Sequence, residues 1–175
     1  MNNTTPVLET PSPGSPLLRV WRLVLFIVFV AVCQASLSTP VAAEDKVPVN
    51  LSNGSDGPQY GAGSDNDSGP VNGGILNVTG GHHSGFLYGG RAKGVQVVNC
   101  KVNFSGGSAH NMIRGAFLDQ GEAFANQVNV TGGEARNYID GAYVVNGKAY
   151  MNSVTVSDGS VAAGIWGAKA SAEVT

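Results

Sequence analysis

The sequence predicts an all-β fold: a right-handed parallel β-helix, or β-solenoid, of about four 26-residue coils. Three observations predict it. Asn77-Val-Thr-Gly-Gly81, Asn103-Phe-Ser-Gly-Gly107, Asn129-Val-Thr-Gly-Gly133 and Thr155-Val-Ser-Asp-Gly159 recur 26 residues apart. A second block, Leu87-Tyr-Gly-Gly90, Ile113-Arg-Gly-Ala116, Ile139-Asp-Gly-Ala142 and Ile165-Trp-Gly-Ala168, keeps the same spacing. Two independent blocks on one period mark a repeat architecture. The third observation is the placing of breakers: Gly accounts for 25 of 175 residues, while all 8 prolines lie at or before Pro70. A chain whose every backbone N–H joins a ladder has no room for proline.

Within each repeat the pattern is one of strands. Leu76 and Val78 flank Asn77, Val102 and Phe104 flank Asn103, Val128 and Val130 flank Asn129, and Val154 and Val156 flank Thr155. That is a period of two, with the apolar side chains inward and Asn or Thr outward. In the second block the column Leu87, Ile113, Ile139, Ile165 is uniformly apolar and is assigned to the core. Its neighbour, Tyr88, Arg114, Asp140, Trp166, is chemically mixed and is expected to face solvent. The Gly-Gly pair after the first strand supplies a corner, because glycine takes positive φ without steric cost. Leucine-rich repeats have a comparable length, but their Leu-x-x-Leu-x-Leu pattern is missing, and helical repeats would not carry so much glycine. Handedness follows from the rule for parallel crossovers.

Three segments are expected. Residues 1–43 read as a signal peptide: Arg19 and Arg22 precede an apolar run from Leu23 to Cys33, and Pro40-Val41-Ala42-Ala43 ends the segment, placing cleavage between Ala43 and Glu44. The run is shorter than the about 20 residues that a spanning helix needs. Residues 44–73 are rich in Gly, Ser, Asp, Asn and Pro and read as a flexible acidic linker with too little apolar surface to offset the entropy of ordering. Residues 74–175 form the solenoid, with copies at 74–99, 100–125, 126–151 and an incomplete one at 152–175.

Charge and cysteine content narrow the function classes. Charged residues make up 13% of the chain and the net charge is −2. The linker carries Glu44, Asp45, Asp56, Asp65 and Asp67 against Lys46, whereas the repeats are close to balanced; no basic stripe exists, and nucleic acid is not expected as a partner. Of the 2 cysteines, Cys33 lies in the leader, so Cys100 has no disulfide partner in the mature chain.

The Asn-x-Val-x-Val-Thr-Gly-Gly strand, the Ile-x-Gly-Ala/Gly block and the Gly147-Lys-Ala149 step toward Asn152 resemble the passenger-domain repeats of bacterial autotransporters and large surface adhesins, with Phe86-Leu-Tyr-Gly-Gly90 the nearest in form. The resemblance covers residues 74–175. It implies a non-enzymatic exported protein, secreted or held at the bacterial surface or outer membrane, acting as a stalk or as a contact surface for a receptor or glycan of a host or neighbouring cell. Contact with the membrane would then be made through a C-terminal barrel beyond Thr175, were the chain a fragment.

Candidate sites are few. Phe117 and Tyr143 share one column and Phe124 and Tyr150 another, so their rings can stack on successive coils and offer a contact surface, or serve the solenoid alone. His82-His83 is an isolated dipeptide and is read as an exposed corner; no metal ligand set, cofactor or catalytic residue is expected. Glycosidase or lyase chemistry on such a fold needs carboxylates sharing a column. Asp119, Glu122, Glu134, Asp140, Asp158 and Glu173 share none. A carbohydrate-active β-helix enzyme remains the alternative, as does a secreted eukaryotic glycoprotein, since Asn50, Asn53, Asn66, Asn77, Asn103 and Asn129 each head an Asn-x-Ser/Thr sequon.

Overall fold

The computed structural model describes residues 46–170, and the proposed leader with its Ala43–Glu44 cleavage site lies outside them. These residues form a β-solenoid of about five coils with no helix. Coil one carries β1 (Val49–Leu51), β2 (Gln59–Gly63) and β3 (Val71–Asn72); coil two carries β4 (Ile75–Val78), β5 (His82–His83), β6 (Leu87–Ala92) and β7 (Gln96–Val98). Coil three consists of β8 (Lys101–Phe104), β9 (Ser108–Ala109) and the long β10 (Ile113–Phe124). Coil four has β11 (Gln127–Ala135), β12 (Ile139–Asp140) and β13 (Tyr143–Tyr150), and coil five β14 (Ser153–Val161), β15 (Ile165–Trp166) and β16 (Lys169–Ala170). Strands pair in parallel with the coil above and below, and the registers Val128↔Val102, Val128↔Val154, Ile113↔Ile139 and Ile139↔Ile165 reproduce the repeat of the sequence.

The first correction concerns residues 44–73. From Val49 onward this segment is the first coil and not a linker: β1 pairs with β4, β2 with β6 and β3 with β7. Its apolar residues are few, but Ala62 and Val71 are buried and Val49 and Leu51 pack against the core of the coils above. Ordering this coil needs less apolar area than an isolated segment would, because the ladder of coil two is already in place.

Two apolar columns fill the interior. One contains Leu76, Val78, Leu87, Val102, Phe104, Ile113, Val128, Val130 and Ile139; the other is built from smaller side chains, including Ala92, Val97, Cys100, Ala116, Leu118, Ala123, Ala142 and Val144. The small column follows from how closely the chain approaches itself. A Cβ on Gly115 would stand 2.3 Å from the carbonyl oxygen of Gly141 and 3.1 Å from the Gln127 nitrogen, so the glycine of the Ile-x-Gly-Ala block permits backbone contact that a side chain would prevent. At the Gly-Gly corner the second glycine takes the left-handed conformation, as in Gly107 with φ 85°.

A second correction concerns the column beside Ile139. Tyr88, Arg114 and Asp140, expected at the surface, are buried, with exposures of 4%, 8% and 2%. The cause is side chains stacked over one another on the outer face of β6, β10, β12 and β13.

The corner at Val95 is strained. Val95 has φ 70°, where the in-register residues of the next coils are Gly121 (φ 114°) and Gly147 (φ 147°). A β-branched residue in that region costs about 1–3 kcal/mol. Val95→Gly removes the clash at the expense of some unfolded-state entropy. It is expected to stabilise the chain by about 1 kcal/mol, a rise of a few degrees in melting temperature. Thermal unfolding followed by circular dichroism checks this, and a lower melting temperature would place Val95 in an unstrained turn.

Candidate functional site

The two ring pairs expected from the sequence both form. Phe117 and Tyr143 stack with centroids 5.6 Å apart, and Phe124 and Tyr150 at 5.2 Å with planes only 6° from parallel. In-register parallel pairing of β10 with β13 places each ring directly over its partner. The structure does not bring the two pairs together, because the corner at Gly121 and Gly147 separates them along β10 and β13.

Only the first pair belongs to a longer series. Tyr60 stacks on Tyr88 at 5.6 Å, Tyr88 on Phe117 at 5.8 Å, and Phe117 on Tyr143, so aromatic rings run across coils one to four; Phe86 joins at Tyr88. Cations fill the gaps. The Arg91 guanidinium lies 4.2 Å from the Phe117 ring centroid, and that of Arg114 lies 4.8 Å from Phe117 and 4.6 Å from Tyr143. Such contacts gain from desolvation, which the neighbouring rings supply.

Each arginine also has a carboxylate. Arg91 donates through Nε to Asp65 at 2.9 Å and through Nη2 to Asp119 at 3.1 Å, so an acid from coil one and an acid from coil three converge on it. The Tyr60 hydroxyl donates to Asp65 at 2.6 Å. That bond, with Arg91, holds the Asp65 carboxyl below its ordinary range, while burial and the adjacent carboxylate push the Tyr60 phenol well above its own.

Arg114 donates through Nε to Asp140 Oδ2 at 2.9 Å, with both side chains under 10% exposed. The other oxygen, Asp140 Oδ1, is buried and has no hydrogen-bond partner among the described residues. Asp140 lines a cleft of about 150 Å³ together with Arg114, Tyr138, Tyr143, Trp166 and Lys169, with Met112 also on the wall. Trp166 and Tyr138 meet at 4.6 Å and remain 38% and 39% exposed. Lys169 Nζ lies 5.3 Å from the Trp166 ring and 5.5 Å from that of Tyr143, and no carboxylate pairs with it among the described residues.

The remaining candidates are structural. His83, expected at an exposed corner, is buried, with Nδ1 at 2.9 Å from the Ser55 hydroxyl and Nε2 at 2.9 Å from the Gly80 carbonyl oxygen; His82 is exposed and meets His110 edge to face at 4.1 Å. No group of three or more His, Cys, Asp or Glu side chains that could hold a metal ion occurs among the described residues. Burial pushes the Cys100 thiol up to about 11 and so disfavours the thiolate. Asn77, Asn103 and Asn129 point outward as expected, but their amides form a ladder. Each Nδ2 donates to the Oδ1 of the preceding coil's asparagine, at 2.8, 2.8 and 3.0 Å, starting from Asn50.

Sequence reasoning missed Tyr60, Asp65, Arg91, Arg114, Asp140, Trp166 and Lys169 as members of this surface. Their signal is visible only when two neighbouring columns are read together, since an aromatic in one alternates with a cation in the other. The fold defines the chain as a β-solenoid protein with a row of stacked aromatic rings across successive coils. No protein-family model, curated protein or solved structure matches it.

Proposed function

We propose that this chain is a passenger-type segment of an exported surface protein, in which the solenoid is a stiff stalk and its row of stacked aromatic rings a non-enzymatic contact surface for a receptor or glycan of a neighbouring cell. The observation that carries the reading is the ring series from Tyr60 through Tyr88 and Phe117 to Tyr143, in which Tyr60, Phe117 and Tyr143 are half-buried and present ring surface while Tyr88, Arg91 and Arg114 are buried and hold them in place. Aromatic and arginine side chains are the residue types enriched at the centres of interfaces. The repeat's resemblance to passenger domains and the leader-like segment support export.

The test is the binding of beads carrying the purified chain to a panel of cultured cells. Tyr143→Ala, which removes the half-buried ring at the end of the series, is expected to lower binding by about tenfold, the loss of one good anchor. Unchanged binding with Tyr143→Ala would leave the chain a spacer without a contact role. Reproducible turnover of an acidic polysaccharide would instead move the reading to a carbohydrate-active enzyme.

A further inference from the structure

We infer that the cleft crossing coils three to five is a subsite for one anionic pyranose unit, a sugar of the hexuronic acid class; this rests on the contact-surface reading above and names its ligand. Size comes first. A cleft of about 150 Å³ has the volume of about five waters in the liquid, the bulk of a single six-membered ring and well short of a cofactor or a buried oligosaccharide.

The chemistry of the wall then selects the ring's substituents. Asp140 lines the cleft, and its buried Oδ1 is an acceptor without a partner among the described residues. An ionised carboxylate oxygen can only accept, so the group that completes it is a donor such as a hydroxyl. Lys169 is exposed and has no carboxylate partner among the described residues, so it calls for an anion. Trp166 and Tyr138 offer partly exposed rings for an apolar face. Phosphate or sulfate would satisfy Lys169 but offer no apolar face to the Trp166 and Tyr138 rings. An ammonium group would satisfy Asp140 but meet Lys169 and Arg114. A uronic acid answers all three demands, with hydroxyls for Asp140, a C–H face for Trp166 and a carboxylate for Lys169.

Titration of the chain with sodium glucuronate, glucose and sodium acetate, read by calorimetry and ligand-observed NMR at low salt, tests this. Glucuronate is expected to bind about threefold more tightly than glucose, the advantage of one exposed charge pair at low salt. Lys169→Gln, a change at an exposed position, should bring glucuronate down to the affinity of glucose and leave glucose unchanged. Trp166→Ala should weaken both sugars. The inference is overturned by equal binding of glucose and glucuronate, by acetate matching glucuronate, by a glucuronate affinity indifferent to Lys169→Gln, or by no sugar binding to the folded chain. Cell binding that persists while no sugar binds would sink this inference and leave the contact-surface reading standing; glucuronate binding without any cell binding would do the reverse.

Discussion

Ile139→Asp is expected to abolish the folded state at 25 °C. Ile139 is fully buried and lies in register with Ile113 on one side and Ile165 on the other. It packs in the larger apolar column, among Leu87, Ile113 and Val128. The substitution removes the burial of a branched side chain, worth about 2–5 kcal/mol in large-to-small changes. It also places a carboxylate where no cation reaches, an error costing several kcal/mol after relaxation. The sum is comparable with the whole stability of an ordinary domain, about 5–15 kcal/mol. The measurement is far-ultraviolet circular dichroism with a urea titration. A retained β-type spectrum with an unshifted midpoint would mean that the inward and outward faces of β12 are reversed.

Asp140→Ala, one residue along, is expected to cost about 3–5 kcal/mol, the usual penalty for stranding one member of a buried ion pair. Arg114 would keep its place between Phe117 and Tyr143 but lose the acceptor 2.9 Å from its Nε. The double change Arg114→Met with Asp140→Leu should recover most of the loss, because neither charge is then left buried. The same urea titration decides it. A loss below about 0.5 kcal/mol, typical of an exposed site, would show that water reaches the pair.

The contrast between these two neighbours shows what the sequence can carry. The column of Ile139 was legible because branched apolar side chains recur at a fixed period, and Leu87, Ile113 and Ile139 are buried as expected; Ile165, assigned to the same core column, is exposed in the last described coil. The column of Asp140 was misread because its members differ chemically, and Tyr88, Arg114 and Asp140 are buried beside the adjacent column of Arg91, Phe117 and Tyr143, while only Trp166 is exposed as the column's reading had it. Burial there is produced by side-chain stacking and ion pairing rather than by hydrophobicity, so a column read alone does not reveal it. Coil one was missed for a different reason. Its pairings Leu51↔Val78, Gln59↔Leu87 and Val71↔Val97 have three different offsets. Its first corner is therefore one residue shorter than that of coil two, and the loop before Val71 two residues longer. A periodicity search at a fixed spacing passes over such a coil, and its glycine and aspartate content then resembles a linker. The ring pairs Phe117–Tyr143 and Phe124–Tyr150 were legible because each is a single column in perfect register, whereas the cleft draws on three coils at once.

Parallel stacking also has a mechanical consequence. The hydrogen bonds that join coils run from one coil to the next, so tension between the two ends of the solenoid loads the outermost ladder before the rest. Coils should therefore peel singly instead of failing together, each releasing about 26 residues of chain, or about 90 Å of contour length when extended. The buried Arg114–Asp140 pair and the asparagine ladder span successive coils and so act as rivets against that peeling. A solenoid built this way yields in graded steps under load.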